Sequence, residues 1–69
     1  MSEPEIRARL KRALDELESV QQEYARAERL NLREYSARLL RTQRGLVREM
    51  LHLRAELSGL LIDRRYSLN

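Results

Sequence analysis

The chain has no cysteine, phenylalanine or tryptophan, and only two glycines, one proline and one histidine in 69 residues. Each shortage removes a class of protein. Without cysteine there is no disulfide framework, no thiolate metal site and no cysteine nucleophile. One histidine cannot build a histidine-based metal centre, although carboxylates remain able to bind a hard cation. The scarcity of glycine, proline and aromatics argues against a sandwich or barrel, and a 36% share of charged residues suits long, solvated helices. No apolar run approaches the roughly 18 residues of a membrane span, and no signal-peptide core is present. The expectation is a soluble, intracellular, all-α protein without cofactor, metal or membrane role, with cytoplasm and nucleus indistinguishable. A chain this short makes a single domain over residues 1–69 and buries too little surface to be stable alone, so oligomerisation or a partner protein is the remaining route.

Charge is present in both signs but unevenly placed. The net charge is +3; residues 1–30 hold six cations and seven anions, whereas residues 31–69 hold eight and four. Thirteen of the fourteen cations are arginine. That preference suits bidentate phosphate or carboxylate contacts, and it equally suits a genome of biased base composition.

The apolar residues are ordered. After "SEPEI", where Ser2 and Glu5 have capping-box spacing and Pro4 falls in the first turn, a helix is predicted over about 3–29. Ile6, Leu10, Ala13, Leu17, Val20, Tyr24 and Ala27 follow one another at alternating steps of four and three, which is a heptad seam. Continued in register, the seam would reach Asn31, Glu34 and Arg38, all polar. Asn31 and Glu34 themselves have capping-box spacing, so a turn is predicted at about 30–32 and a second helix over about 32–63, with a frayed tail at 64–69. The fold class expected is a helical hairpin of two long amphipathic helices assembling into a coiled-coil or four-helix-bundle-like oligomer. The alternative is one continuous coiled-coil helix, in which Leu32, Tyr35 and Leu39 carry the stripe through a stutter.

The second helix has a main stripe of Tyr35, Leu39, Leu46, Met50, Leu53, Leu57 and Leu60, and a second row of Leu40, Val47, Leu51 and Leu61. An apolar face of that width touches more than one neighbour, as in a four-helix bundle or a hairpin docked on a larger complex. Gly45 and Gly59 fall on the polar side, where each costs about 1 kcal/mol relative to alanine. Gly45 is read as a soft spot in a continuous helix, or as a cap dividing it.

Little remains for chemistry. His52 lies on the polar face beside Arg48, Glu49 and Glu56, which reads as a solvated side chain. An enzyme is not expected. Arg33, Arg38, Arg41, Arg44 and Arg48 form a stripe away from the leucines, with no carboxylate from Tyr35 to Arg48. The stripe could track phosphates, but it lacks the interleaved aromatics and groove-reading polar groups of a nucleic-acid reader. Arg54 stands at the flank of the apolar face, set either to snorkel or to pair with a carboxylate of a neighbouring chain. "RRYS" at 64–67 has the form of a basophilic kinase site and "LSGLL" at 57–61 that of a receptor-binding leucine box; leucine-rich helices produce the second by chance. The reading is a non-catalytic assembly or adaptor protein, its partner itself or the helices of a larger complex. A basic nucleic-acid-binding dimer is the alternative.

Overall fold

The computed structural model describes residues 1–67, with side-chain surroundings for residues 1–64. Two helices, α1 (Glu3–Arg29) and α2 (Arg33–Ser67), fold back on each other as an antiparallel hairpin. The continuous helix is excluded.

At the start of α1, Ser2 takes the extended backbone of an N-cap, and its carbonyl accepts the first helical hydrogen bond from Ile6 at 3.0 Å. Its hydroxyl caps nothing, so the expected capping box does not form. Glu3 and Glu5 instead place negative charge in the first turn, where exposed N–H groups favour it.

The turn is built by Asn31. Its N–H donates to the Glu28 carbonyl at 3.1 Å, and the Leu32 N–H reaches the Ala27 carbonyl at 2.9 Å. With φ of 57° at Asn31, this is a Schellman closure, in which the left-handed residue is usually glycine and sometimes asparagine. Asn31 therefore ends α1 and does not begin α2, as its spacing to Glu34 suggests. The Leu32 carbonyl accepts the first bond of α2, from Ser36 at 2.9 Å.

The seam of α1 is the one the heptads predict. Ile6, Ala13 and Ala27 are buried, and Leu10, Leu17, Val20 and Tyr24 are half-buried. On α2 the matching seam is Ser36, Leu39, Gln43, Leu46, Met50, Leu53, Leu57 and Leu60, again at alternating three and four. Counted outward from the turn, Ala27 comes level with Ser36, small against small, and Ala13 with Met50, small against large. Small residues at these levels let the two helices approach closely. Ser36 tolerates burial because its hydroxyl donates to the Arg33 carbonyl at 3.1 Å, and no buried side-chain polar atom among the described residues lacks a partner.

Tyr35, expected on the main stripe, stands one residue off the seam and is 40% exposed. One residue is 100° of helix, enough to move it from the interface to its edge. α2 passes through Gly45 without interruption and runs on to Ser67, past the fraying expected from residue 64. Near its end Arg64 reaches back to Glu3 and closes the open end of the hairpin; residues 68 and 69 lie outside the described residues. The result is a rod of 57 × 14 × 14 Å.

Candidate interaction surface

An antiparallel pair with heptad seams has two flanks. One carries the residue after each of Ile6, Ala13, Val20 and Ala27, namely Arg7, Leu14, Gln21 and Glu28, beside those following Leu39, Leu46, Leu53 and Leu60, namely Leu40, Val47, Arg54 and Leu61. The other carries the residues just before the alternate seam positions: Arg9, Glu16 and Glu23 on α1, and Tyr35, Thr42, Glu49, Glu56 and Asp63 on α2. The contact observed across the second flank agrees with this division, since the Tyr35 hydroxyl donates to Glu23 at 2.6 Å.

The two flanks differ in chemistry. On the first, Leu14 is 52% exposed, Val47 and Leu61 are also exposed, and Leu40 is half-buried. Leu51, one helical turn beyond Val47, widens the same face and is 60% exposed. The cations Lys11, Arg44 and Arg54 are interspersed and exposed. The second flank is mostly carboxylate. Its charges are tied locally: the Glu23 carboxylate raises the pKa of the Tyr35 phenol chiefly through their hydrogen bond, and His52 lies 3.0 Å from Glu56 one turn on.

Further polar contacts lie at the open end. Glu3 accepts from Arg7 Nε at 3.1 Å and also meets Arg64. The hydrogen bond from Arg7 is the main reason its pKa is lowered, with the charges of Arg64 and Arg7 adding to the effect against partial desolvation. At the turn, a shallow cleft of about 290 Å³ is lined by Ala27, Leu30, Leu32 and Tyr35, with Glu23 and Arg26 at its edge. Among the described residues no cluster of His, Asp and Glu could hold a metal ion, and no helix is long and apolar enough to cross a membrane.

Of the apolar residues singled out by sequence, Ile6, Leu10, Leu17, Val20, Tyr24, Leu39, Leu46, Met50, Leu53, Leu57 and Leu60 meet in the seam, with Leu40 at its border. Val47, Leu51 and Leu61 stay in water. Arg33, Arg38, Arg41, Arg44 and Arg48 are all exposed, and the salt bridges among the described residues involve none of them. Two positions escape the sequence reading. Leu14 follows a seam residue just as Leu40 does, and that repeat was the signal for it. Ser36 is found by stepping back three from Leu39, but a serine carries no apolar signal.

The chain matches no protein-family model, no curated protein and no solved structure.

Proposed function

We propose that the protein is a non-catalytic helical assembly module, whose hairpin completes a larger bundle with its own copies or as a small subunit of a complex. The supporting observation is the apolar flank on which Leu14, Val47, Leu51 and Leu61 are exposed beside the half-buried Leu40, on an elongated two-helix rod. A compact chain of 69 residues has a radius of gyration of about 11 Å, whereas this one has 16.3 Å. Contiguous apolar surface rimmed by charge is characteristic of interaction sites in stable proteins.

Circular dichroism of the pure chain, melted over a wide range of concentrations, tests the reading. The expected result is weak, poorly cooperative helix in the isolated chain, with stability gained only on association. A monomer that melts cooperatively, at a temperature independent of concentration and unchanged in the V47E/L51E double variant, needs no partner and overturns it.

A second reading, binding to nucleic-acid phosphates, draws on one observation: Arg41, Arg44 and Arg48 are exposed on the outer side of α2 and, among the described residues, bridge to no carboxylate. Phosphate binding would fall steeply with salt. Leucine-driven assembly would not.

A further inference from the structure

The flank that supports the assembly reading also carries information on its occupant. Resting on that reading, we propose that a second copy of the chain covers the flank of Leu14, Leu40, Val47, Leu51 and Leu61. The two hairpins are related by a two-fold axis along their length, so that α2 of each lies beside α1 of the other.

Area is the first argument. The chain exposes 5843 Å², against about 4,600 Å² for a compact monomer of its mass. Hiding the excess of roughly 1,200 Å² on each of two copies would bury about 2,400 Å² in all, within the range of permanent homodimers. A single short helix docked on the flank would cover only part of a face that runs from Leu40, near the turn, to Leu61, near the open end.

Charge sets the direction. With the axis along the rod, heights are preserved, because each residue of α2 meets the part of α1 that is level with it in its own hairpin. Leu51 and Val47 then bracket Leu14 of the partner subunit. Arg44 comes level with Glu18 of the partner subunit, and Arg33 with Glu28 of the partner subunit. An axis across the rod, centred on the apolar patch, would instead set Arg44 against Arg54 of the partner subunit. Facing like charges oppose such a contact.

Arg54 is the misfit. In the lengthwise arrangement it comes level with Lys11 of the partner subunit, cation to cation. This gives the proposal an unusual consequence, because an anionic partner of any kind would be weakened by R54E, whereas a second copy should be tightened by it.

The experiment is sedimentation equilibrium of the full-length chain and its variants over a concentration series, with helicity recorded on each sample. The wild type should be a dimer and V47E/L51E a monomer, its dissociation constant raised about a hundredfold or more by carboxylates placed in an apolar contact. R44E and E18R should each weaken the dimer about tenfold, through the two symmetric contacts, and R44E/E18R should restore it. R54E should strengthen it.

A dimer indifferent to V47E/L51E overturns the surface, and a dimer that R44E/E18R fails to restore overturns the arrangement. A wild-type chain that stays monomeric and poorly helical overturns the second copy while leaving the assembly reading intact, since the flank then belongs to another protein. A stable, well-folded monomer overturns both.

Discussion

The flank that follows the seam residues and the flank that precedes them are made by the same two helices at the same heptad spacing, yet they answer different physical demands. On the second flank, Glu16, Glu23, Glu49 and Glu56 stand in water or pair with near neighbours, and Tyr35 lays its hydroxyl on Glu23. Such a surface gains nothing by being covered, because every carboxylate would have to be desolvated. On the first, exposed leucines and a valine lie at the same spacing as the seam itself, and each would release ordered water if covered. The contrast teaches that one seam can carry two flanks of opposite character. One is charged, and the other, on the proposed assembly reading, is the side left to be covered.

The largest effect expected from a single residue lies between the seam and the open flank. Leu53 is 2% exposed and Leu51 is 60% exposed, two residues apart on the same helix. Leu53→Ala should cost about 2–5 kcal/mol, the usual range for emptying a packed leucine site, and should unfold the hairpin as followed by circular dichroism. Leu51→Ala should cost clearly less, because its side chain is covered only where chains associate. Equal losses at the same protein concentration would mean that α2 is not turned as the seam requires.

The carboxylate-rich flank can be probed by adding to it. Gly45 and Gly59 lie on its side of α2, and a Cβ built at either meets nothing within 4 Å. Gly45→Ala and Gly59→Ala should therefore each stabilise the helix by about 0.5–1 kcal/mol, the difference in propensity between the two residues. Urea titration would read the gain. If either change destabilised the protein or weakened its self-association, something must pack against that side, and the contrast between the flanks would fail.

An effect of similar size belongs to the turn, which both flanks share. Asn31 holds a φ of 57°, so Asn31→Ala should cost about 1 kcal/mol through the left-handed backbone, while Asn31→Gly should be neutral or slightly stabilising. The same melts check both. A loss on Asn31→Gly would mean that the asparagine side chain matters beyond its backbone.

How far the sequence reaches depends on what encodes each feature. The α1 seam is legible to the residue because seven apolar or small side chains keep strict register from Ile6 to Ala27. The hairpin is legible from the failure of that register at Asn31, but the manner of the turn is not, since asparagine serves both N-caps and left-handed closures. The seam of α2 is only partly visible. Two of its positions are Ser36 and Gln43, and the neighbouring Tyr35 offers a stronger apolar signal than the serine that displaces it. Width of the apolar face is plain in Leu40, Val47, Leu51 and Leu61, but which of them α1 covers depends on the angle of α2 about its own axis. Only the packed pair fixes that.

The smallest effect is an alkaline one, and it belongs to the carboxylate-rich flank. The Tyr35 pKa is raised from the ordinary 10.0, first by its hydrogen bond to Glu23, then by partial desolvation and by the Glu23 charge. The folded protein thus prefers the neutral phenol more than the unfolded chain does. A group whose folded pKa is raised contributes stability that is fully present below the unfolded value and is lost as pH rises through the folded one. Melting temperature should therefore decline as pH climbs above 10, and Tyr35→Phe should remove this residue's share of that decline while slightly lowering stability at neutral pH. Glu23→Gln should bring the phenol titration, followed by ultraviolet absorbance, back towards its ordinary range. If that titration does not move, the contact across the flank does not form in solution, and the second flank would be held by nothing but the seam beneath it.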